Sequence, residues 1–218
     1  PSSVTYIGWS AFYRCSSLIQ ITIPSSVTKI GNNTFSKCSS LTQITIPSSV
    51  TKIGKYAFEG CSSLTHLTIP SSVTKIGDNA FSRCSTLIQL TIPSSVTEIG
   101  NDAFNGCSSL TQISIPSSIK SIGNHAFYGI KSLYLEGTIQ NIYDNMFKKC
   151  STLIQITIPS SVTKIGNMAF SGCSSLTQIS IPSSVISIGN HAFYGIKSLN
   201  LEGTIQNIYD NMFKECST

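Results

Sequence analysis

Eight cysteines are the residues of this chain with the most reactive side chains: Cys15, Cys38, Cys61, Cys84, Cys107, Cys150, Cys173 and Cys216. Thiols ligate metals, form disulfides or act as nucleophiles, and each role needs a suitable partner close by. There is no C-x-x-C pair, and His66, His125 and His191 do not stand near the cysteines in a zinc-binding spacing. Most of the cysteines recur every 23 residues, so they share one column of a repeat. Side chains in such a column run parallel, whereas a disulfide needs its two Cβ atoms turned towards each other. The expected state is therefore a ladder of free, buried thiols behaving as small hydrophobes.

The acids Glu59, Asp78, Glu98, Asp102, Glu136, Asp144, Glu202, Asp210 and Glu215 are scattered singly. No repeated pair of them is expected to converge with a histidine on a cleft, and H-E-x-x-H, G-x-S-x-G and a phosphate-cradling glycine loop are all missing from the sequence. The expectation is a protein that is not an enzyme and holds no cofactor or metal. Charged residues make up 11% of the 218, and the net charge is +5. The lysines stand singly apart from Lys148-Lys149, and the only arginines are Arg14 and Arg83, which gives no nucleic-acid footprint. No apolar run is long enough to insert in a membrane. No signal peptide opens the chain, and both ends fall inside a repeat, which reads as a fragment of a larger protein.

The elements that position these residues are set by the phenylalanines. Phe12, Phe35, Phe58, Phe81, Phe104 and Phe127 are 23 apart; Phe147, Phe170, Phe193 and Phe213 follow at steps of 20, 23, 23 and 20. Residues 1–218 thus read as one solenoid of about ten coils, with no linker. In each unit the alternation of Ile44, Thr45 and Ile46 predicts a short strand that Pro47 ends. Val50 to Ile53 predicts an extended or 3₁₀-like stretch, Gly54 a sharp turn, and Ala57, Phe58 and Cys61 a single helical turn.

The stretch LTQITIPSSVTKIGKYAFEGCSSL, from Leu41 to Leu64, resembles the BspA-like leucine-rich repeats of surface proteins in some bacteria and parasitic protists. The resemblance covers essentially the whole chain. It implies an α/β repeat: a right-handed leucine-rich-repeat solenoid with short parallel β-strands on one face and turns, 3₁₀ or short helical segments on the other. It also implies a secreted or cell-surface location, a role in adhesion or host interaction, and a protein or glycan partner at the cell surface or in the extracellular matrix. The family offers no catalytic residues to carry over.

The candidate recognition face is the exposed side of the strands. One row holds Thr22, Thr45, Thr68, Thr91, Ser114, Tyr134, Thr157, Ser180 and Asn200, and beside it run Gln20, Gln43, His66, Gln89, Gln112, Gln155 and Gln178. An uncharged face of this kind could bind through many weak hydrogen bonds, or it could be ordinary sheet surface, since threonine suits exposed strands. The alternative function is a structural spacer or a self-associating scaffold, stacked end to end or through its edges. Asn32-Asn33-Thr34 is the only glycosylation sequon. The asparagines after glycine, Asn32, Asn101, Asn124, Asn167 and Asn190, are expected to satisfy local backbone donors of their own turn. In the trimmed units Tyr143 replaces the turn glycine, Met146 the alanine and Ile130 the cysteine, and the second copy repeats this at Tyr209, Met212 and Ile196. Repacking around the lost step is expected there, with a separate site at Tyr134, Glu136 and Tyr143 as the alternative.

Overall fold

A computed structural model of the chain describes residues 3–196 except 111, 131, 136–138 and 178, and in addition residues 200–201 and 207–208. Glu136, Gln178, Glu202, Tyr209, Met212, Phe213 and Cys216 lie outside the described residues.

The front ladder is built from one short strand or bridge per coil, paired in parallel with a neighbouring coil. Gln20–Thr22 pairs with Gln43–Thr45, residue for residue. His66 bridges Gln43 to Gln89. Gln89–Thr91, Gln112–Ile115, Ser132–Leu135 and Gln155–Thr157 continue as one sheet. Ser180–Ile181 then pairs with Asn200–Leu201. The alternation works as the two-residue period requires: in Gln43–Thr45 the flanking residues are exposed and Ile44 is buried.

A second ladder runs along the solenoid behind the proline corner. Its strands are only two residues long: Tyr6–Ile7, Lys29–Ile30, Lys52–Ile53, Lys75–Ile76, Glu98–Ile99 and Ser121–Ile122 form one six-stranded sheet. Asn141–Ile142, Lys164–Ile165, Ser187–Ile188 and Asn207–Ile208 form another. The isoleucine of each described pair from Ile30 to Ile188 points into the core.

The remaining side corrects the expected fold class. Among the described residues none is α-helical or 3₁₀, so the chain is a parallel β-solenoid closed by turns rather than an α/β repeat. The reason lies in the backbone. Two residues of each turn segment take left-handed φ values four positions apart, such as Asn33 at 54° and Lys37 at 63°, or Tyr56 at 57° and Gly60 at 70°. A left-handed residue at that spacing breaks any right-handed helix. Alternate amide donors go instead to the next coil: Asn33 N–H donates to Lys55 O (2.8 Å), Phe35 N–H to Ala57 O (2.8 Å) and Lys37 N–H to Glu59 O, while Ser36 N–H and Cys38 N–H close tight turns on Asn33 O and Phe35 O. The second left-handed column carries glycine at Gly60, Gly106, Gly129, Gly172 and Gly195, but Arg14, Lys37, Arg83 and Lys149 in other coils. Lys149→Gly is expected to stabilise the fold by about 0.5–1 kcal/mol, since glycine takes this conformation without a Cβ penalty. Urea unfolding checks this.

The core is a stack of columns. Phe12 to Phe127 stack ring on ring with centroids 5.1–5.7 Å apart and planes within 12° of parallel. Polar ladders staple the coils together at their corners. Ser26, Ser49, Ser72, Ser95, Ser118, Ser161 and Ser184 each donate a hydroxyl to a backbone carbonyl of the preceding coil at 2.5–2.8 Å. Asn32 accepts from Lys55 N–H, Asp78 from Asn101 N–H, and Asn101 from Asn124 N–H. This corrects the expectation of local bonding: the side chains satisfy backbone donors of the following coil, 23 residues on.

Candidate recognition face

The front ladder brings the expected row residues together. Gln20, Thr22, Gln43, Thr45, His66, Thr68, Gln89, Thr91, Gln155 and Thr157 are all exposed. Register places Gln20 beside Gln43, Thr22 beside Thr45, Gln89 beside Gln112 and Thr91 beside Ser114. Tyr134 lies in register between Ser114 and Thr157, and Asn200 beside Ser180. Ser114 and Ser180 are half-buried.

The contrast with the other polar columns is chemical. The corner serines and the asparagine ladder are engaged in bonds between coils. Threonines of the column outside the second ladder, such as Thr74 and Thr97, also donate to a neighbouring carbonyl. Among the described residues, the side chains of Gln20, Gln43, Gln89 and Gln155, and of Thr22, Thr45, Thr68, Thr91 and Thr157, make no hydrogen bond within the chain. Their donors and acceptors face solvent. No charged residue stands in either row.

Sequence patterning missed one feature of this face. Ile19, Ile88 and Ile154 are 63%, 49% and 54% exposed beside the glutamine row. The signal was present, since these three units carry isoleucine where Thr42, Thr65 and Thr177 stand in others. Ile154 borders an open cleft of about 610 Å³ between Gln155–Thr157 and the coil of Thr177, Ser180 and Pro182.

The cysteine column holds no reactive constellation. Cys38, Cys61, Cys84, Cys107, Cys150 and Cys173 are buried and free, while Cys15 in the first described coil is exposed. Each buried thiol donates to a phenylalanine carbonyl of an earlier coil: Cys61 to Phe35 O and Cys84 to Phe58 O, both at 3.2 Å. Burial pushes the Cys38 thiol up to about 11, and Cys107 and Cys173 up to about 12. Cys61, Cys84 and Cys150 are raised for the same reason. Such thiols are poor nucleophiles. Among the described residues no cluster of His, Cys, Asp or Glu could hold a metal ion.

The first trimmed coil is repacked. Ile130 and Met146 fill the cysteine and alanine columns and are buried. Tyr143 is half-buried, and its hydroxyl donates to Ile119 O at 2.7 Å. Its column explains the consequence. A Cβ on Gly77 would lie 2.7 Å from Gly54 C and Lys55 N, so stacked coils leave no room for a side chain there. With tyrosine in that place, Asn141–Ile142 does not pair with Ser121–Ile122 and the second ladder divides. The Phe127–Phe147 pair is tilted by 35° at 5.9 Å.

The profile of the BspA type leucine rich repeat region, in six copies, matches residues 1–111 and 97–218. The chain belongs to this family. As a BspA-type leucine-rich-repeat protein, it has the fold of non-catalytic scaffold and recognition proteins. A leucine-rich repeat protein from Bacteroides ovatus is 30% identical, with a TM-score of 0.72 over 97% of this chain and 63% of that one. The T. pallidum leucine rich repeat protein is 32% identical, with a TM-score of 0.63, covering 72% of this chain and 78% of that one. The pneumococcal vaccine antigen PcpA is 25% identical, with a TM-score of 0.53 over 87% of this chain and 63% of its own. The chain therefore spans less than two thirds of the B. ovatus and pneumococcal structures. No curated protein matches it.

Proposed function

We propose that this chain is a recognition or adhesion module of a cell-surface or secreted protein, binding a protein or glycan through the front strand face. The observation that supports this most is the free hydrogen-bonding capacity, among the described residues, of Gln20, Gln43, Gln89, Gln155 and the exposed threonines Thr22, Thr45, Thr68, Thr91 and Thr157, in a molecule whose corner serines and turn asparagines staple coils together. The resemblance to a pneumococcal antigen fits a surface location. Many weak, register-spaced hydrogen bonds would give affinity by repetition, and the exposed isoleucines would add apolar anchors.

The competing reading is a spacer. Deleting residues 47–69 removes one whole 23-residue unit and leaves Phe35 positioned to stack on Phe81. Binding to a panel of immobilised extracellular-matrix proteins and neutral glycans is expected to fall when this stretch of face is shortened. Undiminished binding by the shortened chain would favour the spacer.

A further inference from the structure

Lysines that look dispersed along the sequence are gathered by the 23-residue period. Lys29, Lys52 and Lys75 occupy equivalent positions of three consecutive strands in the second ladder, in direct lateral register. Adjacent strands lie about 4.8 Å apart, and like charges set side by side at that spacing destabilise a sheet. Lys75 is relieved by Glu98 on the next strand, which ends the row. The Lys29 ammonium lies 5.7 Å from the Tyr6 ring centroid. Among the described residues no carboxylate pairs with Lys29 or Lys52, and both are exposed.

The imbalance extends over the first coils. Residues 1–83 hold seven Lys and Arg but only Glu59 and Asp78, so the whole net charge of +5 falls in this stretch. Both acids are already engaged. Asp78 pairs with Lys55 at 2.8 Å, and Glu59 accepts a hydrogen bond from Ser36 Oγ at 2.9 Å. Beyond residue 83 the charges balance.

We propose that the Lys29–Lys52–Lys75 row is a binding site for a linear sulfated polysaccharide lying along the solenoid axis, on a different face from the glutamine and threonine rows. A single file of ammonium groups, one per coil, suits an extended chain that presents sulfates at sugar-residue intervals. Nucleic acid fits less well. Tyr6 is the one aromatic residue in register with the row for base stacking.

The test measures binding of the full chain to heparin, to dextran, to single-stranded oligo(dT) and to phosphatidylserine vesicles, at low and at physiological salt. Heparin is expected to bind, with affinity falling as salt rises, and dextran is not. Lys29→Gln/Lys52→Gln/Lys75→Gln is expected to weaken heparin binding by at least about tenfold while the unfolding midpoint stays unchanged or rises. Lys120→Gln/Lys164→Gln, on later strands and corners, is expected to bind as the unmodified chain does. No heparin binding at low salt, equal binding by the triple variant, or an equal loss in the control variant would overturn the proposal. Tighter binding to oligo(dT) or to the vesicles would overturn it in favour of nucleic acid or a membrane surface.

Discussion

Phe81→Ala is expected to destabilise the chain by about 3–5 kcal/mol, the cost of a fully buried aromatic lost to a cavity. Phe81 is completely buried, with Phe58 stacked on one side at 5.4 Å and Phe104 on the other at 5.5 Å. No side chain from another layer can close the gap, because the neighbours along the column are held in place by their own coils. Both ring contacts are lost together. The effect is also non-local, since in a solenoid each coil is stabilised mainly by its two neighbours. A weakened interface in the middle uncouples the two ends, so a single unfolding transition should broaden or split. Phe12 is only partly buried at the first coil and stacks on one ring, so Phe12→Ala should cost less. Urea unfolding followed by circular dichroism measures both. A loss below about 1 kcal/mol at Phe81 would mean that the phenylalanine column does not carry the core.

The second large effect is alkaline. Below pH 9 the thiols are protonated in the folded and the unfolded chain alike. Above the ordinary thiol value of 9.0 the unfolded chain releases its protons, while Cys107 and Cys173 hold theirs up to about 12 and Cys38 to about 11. The unfolded state then binds fewer protons than the native state, so stability falls as pH rises. The loss starts near pH 9 and continues until the native thiols themselves ionise. Each fully buried thiol contributes a slope of up to about 1.4 kcal/mol per pH unit. With six buried thiols in one column, the fold is expected to give way well before any single thiol titrates in the native state. Cys107→Ala should flatten the dependence by about one thiol's worth. Unfolding midpoints measured from pH 8 to 11 check this, and a midpoint constant over that range would contradict the burial of the column.

The repeat unit made the core legible in the sequence. Leu41, Ile44, Ile46, Phe35 and Cys38 are all buried, as their spacing implies. The two exposed rows were legible for the same reason, because alternation about Ile44 assigns Gln43 and Thr45 to the outer face. The helical turn was the misreading. Ala57, Phe58 and Cys61 have a spacing that one turn of helix would satisfy, but Tyr56 and Gly60 are left-handed. Apolar spacing in a stretch of six residues does not distinguish a helical turn from two consecutive tight turns. What decides is whether the amides bond within the coil or to the next one, and stacking supplies the second set of acceptors. The second ladder was hidden similarly, because two-residue strands leave no periodicity to read. The lysine row went with it: singly spaced charges become adjacent only when the coil length is laid over them. Ile19 and Ile88 were obscured by belonging to an otherwise invariant motif.

The central claim is that the front face is where a partner is recognised. Thr45, Thr68 and Thr91 stand exposed on three successive coils, and lysine at each would fill that stretch with charge without entering the core. The most direct measurement compares the unmodified chain with Thr45→Lys/Thr68→Lys/Thr91→Lys for retention on the matrix-protein and neutral-glycan panel, with unfolding midpoints recorded alongside. The expected result is a loss of binding of at least about tenfold in a variant that unfolds within about 0.5 kcal/mol of the original. Full retention by a variant of intact fold would contradict the claim and assign recognition, if there is any, to another surface.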